Sequence, residues 1–360
     1  MNKIKTALLT VCCIIAVNCS AQRVIETSME QNPESCAKKC MCGERTTPAG
    51  INTDHLHDKG EWMFSYSFMN MATKGARMGA NTVSDQQVYQ YYMMAPADMY
   101  MQMHMLMAMY GVTDKLTLMG MTSIVSNYMN MNMGSGQSMP GMVMTGNMES
   151  SLFGLGDSRI TALYSLYRQD NKQLTGGMGI GLPTGSVTAT GTTMLGDNQR
   201  MQYNMQPGSG SFSLSPTVAY TNSIARIDYG IEAGAEVKLN YNSQGYKTGN
   251  VYHANAWAAT KLCSFLTGSL RAEGIETGKI SGVDPMVALP INVSSDPSAD
   301  TRNTGVMVMN LYAGLNIHLS KGVLDKLVFP LEYGIPFYQN LNGTQAAYHN
   351  YIIAGVAYRL

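Results

Sequence analysis

The longest regular pattern in the chain lies between Arg226 and Tyr241, where polar and apolar residues alternate without a break. One series carries charges, amides and glycines, and the other carries Ile, Tyr, Ala, Val and Leu. A period of two is the side-chain period of a β-strand. Strands of soluble proteins are typically about 5–6 residues long. Sixteen alternating residues therefore predict a strand that crosses a membrane with its apolar face toward lipid.

Similar alternation recurs along the chain and predicts about twelve strands, with ten and fourteen as alternatives. The predicted strands begin near residues 61, 98, 115, 157, 173, 211, 225, 251, 265, 305, 326 and 350. Connections after even-numbered strands are short, and those after odd-numbered strands are longer, notably at 129–156, 184–210 and 278–304. Short periplasmic turns that alternate with long extracellular loops are typical of outer-membrane barrels. The predicted fold is therefore all-β, a single antiparallel transmembrane β-barrel, with lipid-facing residues that include Ile227, Ile231, Leu311, Leu315 and Leu327.

The first residues have the form of an export signal. Lys3 and Lys5 precede an apolar stretch over residues 7–17, and small residues follow before Gln22. The predicted organisation is a signal peptide at 1–21, a short periplasmic N-terminal segment at 22–59 and an outer-membrane barrel at 60–360. The net charge is zero and charged residues make up 13% of the chain, so nucleic acid is not expected as a partner. The expected partners are outer-membrane lipid and a small-molecule or metal-ion solute.

Methionine supplies 31 of the 360 residues, and its densest run alternates along one predicted strand. The residues of this stripe are Met99, Met101, Met103, Met105, Met107 and Met109, and Met119 and Met121 continue it on the next strand. The opposite face carries Gln102 and His104, which are costly to place against lipid, but on the neighbouring strands aromatics and leucines share one face and methionines such as Met63 and Met119 share the other. The stripe is therefore predicted to face the lumen. Thioethers are soft ligands that select Cu(I) and also flexible apolar filler. The pattern predicts either a wall that binds Cu(I) or Ag(I), or an apolar lining without metal.

More methionines follow from Met129 to Met148, in a polar and glycine-rich stretch that is predicted to be an extracellular loop. Exposed methionines are not needed for packing, so this loop favours soft-metal or partner binding. Compositional drift is the alternative.

The predicted periplasmic segment contains Cys36, Cys40 and Cys42, followed by His55 and His57. Three thiols within seven residues can converge on one soft metal ion, and imidazoles can add to them. In an oxidising compartment two of the cysteines can pair instead. The histidines could also lie next to the first strand at the membrane interface. Cu(I) or Ag(I) is therefore a candidate ligand, and no cofactor is required by the sequence.

Three short motifs carry a family resemblance. They are Gly-Leu-Gly-Asp at 154–157, Gly-Leu-Pro-Thr-Gly at 181–185 and Met-Gln-Pro-Gly-Ser-Gly at 205–210. With these motifs the chain resembles a methionine-rich branch of the outer-membrane barrels assigned to a meta-pathway for phenol degradation, which are often called transporters. The resemblance implies a barrel and a transport role, with small aromatic or hydrophobic compounds as one cargo. It transfers no catalytic residue to this chain.

Catalytic motifs have little support in the sequence. Gly-Asp-Ser at 156–158 is similar to a lipase nucleophile motif, but there is no Gly-x-Ser-x-Gly elbow. Asp157 is expected to fix the start of a strand instead. Charged residues on predicted lumen faces, such as Arg271, Glu273 and Glu332, are expected to pair across strands. The sequence favours a non-enzymatic outer-membrane channel or transporter for small solutes, either soft metal ions or small aromatic compounds. A lipid hydrolase and a purely structural barrel are the alternatives.

Overall fold

The computed structural model describes residues 46–134, 138–139, 142–143, 146–193, 196–319 and 326–360. The predicted signal peptide and the cysteines at 36, 40 and 42 lie outside these residues. The described helices are α1 (Asp85–Val88) and α2 (Pro290–Ser295), with 3-10 turns at Pro297–Ala299 and Thr301–Asn303. Neither α1 nor α2 has the length and apolar character of a membrane-crossing helix.

Antiparallel strands form almost all the regular structure in the described residues. In chain order they are β1 (Trp62–Gly79), β2 (Asn81–Val83), β3 (Met94–Thr113), β4 (Leu116–Met133), β5 (Ser138–Met139), β6 (Met142–Val143), β7 (Gly146–Leu155), β8 (Ser158–Gln169), β9 (Lys172–Leu182), β10 (Thr190–Thr193), β11 (Gly196–Arg200), β12 (Ser213–Ile224), β13 (Ile227–Lys238), β14 (Tyr246–Lys247), β15 (Val251–Cys263), β16 (Leu266–Thr277), β17 (Ser281–Gly282), β18 (Val306–His318) and β19 (Leu327–Arg359). Eleven of them form a barrel in the order β1, β3, β4, β8, β9, β12, β13, β15, β16, β18 and β19, and pairing of β19 with β1 closes it.

The eleven barrel strands correspond to twelve crossings of the membrane, because β19 crosses it twice and β8 shares one crossing with β7. β7 and β8 form one crossing, since both pair with β4, the first along its later half and the second along its earlier half. β19 forms two crossings, since residues 328–341 pair with β18 and residues 344–359 pair with β1. Gly343 has a φ of 72° at the turn between them, a conformation that glycine adopts without strain. The predicted number of crossings is confirmed.

The two faces of each crossing differ as the alternation predicts. Ile227, Ile231, Leu311 and Leu315 are exposed on the outer surface, and Leu327 is half-buried at the start of β19. Their sequence neighbours on the inner surface are polar and buried, as at Glu232 and Asn310. An all-β transmembrane barrel with an apolar outer surface is therefore confirmed.

The prediction of an exposed methionine loop between Met129 and Met148 is wrong for the part of it that the structure describes. β4 continues to Met133 and β7 begins at Gly146, and Met129, Met131 and Met148 are buried on their inner faces. The eighteen residues of β4 span roughly 60 Å, far more than the apolar band of about 25 Å. Polar residues between these methionines therefore belong to a strand that extends beyond the membrane.

Candidate functional site

Methionine side chains line the part of the barrel lumen that β1, β3 and β4 form. The strand register pairs Met63 of β1 with Met109 of β3, and Met109 in turn with Met119 of β4. All three are at most 6% exposed, whereas Tyr100 and Leu106 on the opposite face of β3 are exposed. The predicted stripe on β3, with its continuation on β4, therefore faces the lumen. We call this surface, formed by β1, β3 and β4, the thioether wall.

The thioether wall contains two packed groups of side chains. The periplasmic methionine cluster consists of Met63, Met107, Met109 and Met119, with Met121 partly buried against them. The extracellular methionine cluster consists of Met94, Met99, Met129, Met131, Met148, Met201 and Met205, with Met101 and Met133 partly buried against them. Between the clusters, Met103 and Met105 are half-buried. The middle of the stripe is therefore its most accessible part.

The part of the lumen that β16, β18 and β19 form is charged. The Arg271 guanidinium donates two hydrogen bonds to the Glu332 carboxylate, at 3.1 and 3.2 Å, and a third to Glu273 at 3.0 Å. It also lies over the ring of Tyr312, 3.8 Å from the centroid. Arg271 and Glu332 are each 1% exposed. The expected pairing of lumen charges is therefore present, and the lumen has one apolar side and one charged side.

Residues 46–58, which the sequence assigns to the periplasmic segment, lie inside the barrel. We call them the inner segment. The Asn316 amide of β18 donates a hydrogen bond to the Thr47 carbonyl at 2.8 Å. The Gly50 N–H donates to the Glu332 carboxylate of β19, also at 2.8 Å. Both partners are buried on the inner face of the barrel, so this part of the chain lies in the lumen.

The inner segment also contacts strands farther around the barrel wall. Ile51 is fully buried and packs against Trp257 of β15. The Thr53 hydroxyl donates a hydrogen bond to the Glu232 carboxylate of β13. Contacts with strands all around the wall mean that the inner segment crosses the lumen near its periplasmic end. Eight-stranded barrels are filled by their own side chains, and twelve crossings leave room for a chain segment.

His57 lies at the end of the inner segment, beside the periplasmic methionine cluster. The backbone N–H of His57 donates a hydrogen bond to the Thr117 hydroxyl at 2.9 Å, and the preceding residue, Leu56, packs against the cluster. Its Nδ1 is 3.3 Å from the Glu61 carboxylate, whereas its buried Nε2 has no hydrogen-bond partner among the described residues. Burial, with a contribution from the neighbouring His55, lowers the pKa of His57 to about 3. The imidazole is therefore neutral at ordinary pH.

Two connections, 183–212 and 278–305, cover the extracellular end of the lumen. The Asn127 amide on the inner face of β4 donates to the Met205 carbonyl at 3.1 Å. Gln202 and Asp296, one from each connection, are joined by a hydrogen bond of 2.7 Å. Burial raises the pKa of the Asp296 carboxyl. Chain segments therefore lie across the lumen at both of its ends.

Asp157 and Ser158 lie at the break between β7 and β8. The Asp157 carboxylate accepts hydrogen bonds from the N–H and the hydroxyl of Ser209, at 2.9 and 2.6 Å. It therefore fixes the chain at this break, as the sequence predicts. The Ser158 hydroxyl is 3.0 Å from the hydroxyls of both Thr122 and Thr184. Ser158 therefore belongs to a network of hydroxyl groups at this break.

The structure brings some of the predicted metal ligands together and separates others. His57 lies beside the periplasmic methionine cluster, whereas His55 is half-buried and contacts the Asp54 carboxylate at 2.9 Å. Met99 and Met101 belong to the other cluster. In the part of the chain that the structure describes, no three His, Cys, Asp or Glu side chains form a group that could hold a metal ion. Thioethers would have to supply most ligands at a soft-metal site there.

Sequence reasoning missed two parts of this site. Met201 and Met205, from the connection at 183–212, complete the extracellular methionine cluster and are fully buried. Their only signal is a pair of methionines among turn residues, which is weak. The inner segment has no periodic pattern, and its contact between Gly50 and Glu332 joins residues 282 positions apart.

Gly111 of β3 offers a test of whether the inner segment occupies the lumen in solution. A Cβ atom at Gly111 would overlap with the carbonyl oxygen of Asp58, and such overpacking typically costs about 1–3 kcal/mol. We expect Gly111→Ala to increase hydrogen exchange in residues 46–58 by roughly ten-fold. Gly120→Ala on β4 is the matched control, since a Cβ there meets open space. Equal exchange in the two variants would contradict the position of the inner segment.

Comparison with known proteins agrees with this architecture. Residues 73–284, more than half of the chain, match the family described as "Putative MetA-pathway of phenol degradation". The chain has no significant match among curated protein sequences.

Solved structures of outer-membrane proteins are similar to the barrel. The COG4313 outer membrane channel from Pseudomonas putida F1 has a TM-score of 0.55 and 12% identity, over 86% of this chain and 98% of that one. A Pseudomonas aeruginosa FadL homologue has a TM-score of 0.38 and 9% identity, over 83% and 90% of the two chains. The deltaS2 mutant of the TodX monoaromatic hydrocarbon channel has a TM-score of 0.40 and 13% identity, over 84% and 90%. At such identities the first similarity shows a shared barrel fold.

Proposed function

This chain belongs to the family described as "putative MetA-pathway of phenol degradation", and from that premise we propose that it is an outer-membrane channel for small aromatic or hydrophobic compounds. The observation that carries the proposal is the continuous methionine stripe on the inner face of β3. Contacts between a thioether and an aromatic ring are favourable by about 0.3–1.5 kcal/mol. A row of such side chains offers an apolar solute a series of similar weak contacts. Weak and repeated contacts suit passage, because a solute must leave each one.

The ion pairs in the lumen narrow the class of solute. Arg271 and Glu332 neutralise each other, and Glu236 contacts both Lys238 and Arg159, the latter next to Met121 in the strand register. A small aromatic compound with one polar substituent can place its ring against the thioether wall and its polar group toward these paired charges. The solved structure from Pseudomonas putida is described as an outer membrane channel, which supports a non-enzymatic role for the fold. The comparisons give no support to the passage of soft metal ions.

A substitution in the accessible middle of the stripe tests the proposal. Cells that have an intact lipopolysaccharide layer and produce this chain should take up an apolar naphthylamine dye faster than cells without it. We expect Met105→Lys to slow this uptake about ten-fold. The ammonium group is costly to strip of water, so an apolar solute cannot pack against it as it packs against a thioether. Met105→Leu is the matched control, since it keeps the wall apolar at similar volume, and uptake should be retained. Uptake that is equally fast with Met105→Lys would contradict passage along the thioether wall.

A further inference from the structure

The periplasmic methionine cluster combines thioethers with an imidazole nitrogen that lacks a partner. We propose that Met63, Met109, Met119 and His57 form a binding site for one soft monovalent cation, Cu(I) or Ag(I). The site uses packed and buried thioethers at one end of the stripe, whereas Met103 and Met105 in the middle of the stripe are accessible.

The three thioethers lie in one row across adjacent strands. Met109 is directly opposite Met63 on one side and Met119 on the other. Neighbouring strands are about 4.8 Å apart, and a methionine side chain has three rotatable bonds. Three sulfur atoms can therefore converge on one ion without movement of the backbone. Thioether ligands select Cu(I) among the common metal ions, and Ag(I) has the same charge and a similar softness.

The imidazole of His57 is oriented as a metal ligand would be. Its Nδ1 faces the Glu61 carboxylate at 3.3 Å, so the neutral ring carries its proton there and leaves a lone pair on Nε2. A carboxylate that holds the other nitrogen is the usual support for a histidine ligand. Nε2 is buried and without a hydrogen-bond partner among the described residues. Buried polar atoms in proteins normally have a partner, and a bound cation would supply one for Nε2.

The backbone of His57 lies beside the methionine row. Its backbone N–H donates a hydrogen bond to the Thr117 hydroxyl, and Thr117 precedes Met119 by two residues on the same inner face of β4. Leu56 packs against the cluster itself. Nε2 points away from Glu61, because the two ring nitrogens face different directions.

Titration of the exported full chain with Ag(I) tests the site. The protein is studied in detergent and in chloride-free buffer, with Cys36, Cys40, Cys42 and Cys263 replaced by serine so that thiols do not bind the ion. Met109→Leu and His57→Ala remove proposed ligands. Met131→Leu, in the extracellular methionine cluster, is the matched control with the same loss of one buried thioether. Both methionine changes keep the side-chain volume.

We expect one Ag(I) ion to bind per chain, with affinity at least ten-fold lower in Met109→Leu and His57→Ala and unchanged in Met131→Leu. X-ray absorption of the Cu(I)-loaded protein should show one nitrogen and about three sulfur neighbours. If His57→Ala displaces the inner segment, the affinity of Met109→Leu and the absorption spectrum still show whether thioethers and an imidazole bind the ion. No binding in the parent protein, equal affinities in Met109→Leu and Met131→Leu, or a shell without nitrogen would overturn the proposal.

Discussion

Arg271→Met is expected to destabilise the barrel by about 3–5 kcal/mol, the usual consequence of removing one partner from a buried ion pair. The guanidinium is 1% exposed and holds two carboxylates, those of Glu332 and Glu273. It also stacks on Tyr312. Methionine fills a similar volume but leaves both carboxylates without their cation inside the lumen.

The temperature at which the folded barrel converts to the slower-migrating unfolded form on gels measures this effect. Arg302→Met is the matched control, because Arg302 pairs with Asp300 but is 81% exposed, and no measurable change is expected there. Addition of Glu332→Gln to Arg271→Met should restore part of the lost stability, since it removes one of the unpaired charges. A single variant as stable as the wild type would show that the buried pair contributes little to folding.

Deletion of residues 46–58 is expected to raise the single-channel conductance several-fold in planar bilayers. The inner segment is held in the lumen by buried partners spaced around the wall, among them Glu332 of β19, Glu232 of β13 and Thr117 of β4. A barrel of twelve crossings without it is wider than the small barrels that side chains fill. Ions should therefore meet less obstruction at the periplasmic end.

The control for this deletion is removal of thirteen residues upstream of Thr46, which shortens the chain equally and keeps the inner segment. Its conductance should match that of the full chain. The extracellular connections are the same in all three proteins, so the difference isolates the periplasmic end. Equal conductance with and without residues 46–58 would mean that the inner segment does not obstruct the lumen.

The crossings of the barrel could be predicted because lipid and lumen impose opposite demands on alternate residues. Ile227 and Ile231 must face lipid, and the polar residues between them must not, so the period of two is visible in the sequence alone. The same alternation on neighbouring strands predicts that the methionine stripe faces the lumen. Gln102 and His104 then lie on the outer face, where the Tyr66 hydroxyl is 2.8 Å from Nδ1 of His104.

The rest of the site depends on contacts that leave no local pattern. The hydrogen bond from the Gly50 N–H to the Glu332 carboxylate joins residues that are far apart in the sequence. Nothing in the sequence around either residue predicts that they meet. The sequence predicts exposed methionines at 129 and 131 because the stretch that contains them is polar and glycine-rich, as loops are. Once a strand extends beyond the membrane, its outer face can be polar while its inner face stays packed.

The central claim is that small aromatic compounds pass through the lumen. The most direct test is to locate a halogenated aromatic solute in crystals of the protein. A crystal of the full chain soaked with para-bromophenol should show anomalous scattering from bromine beside Met103 and Met105, between the two methionine clusters. The outer surface offers a competing place, a groove of about 710 Å³ lined by residues that include Phe64, Leu106 and Ile160. Bromine found only in that groove, with none in the lumen, would contradict the account.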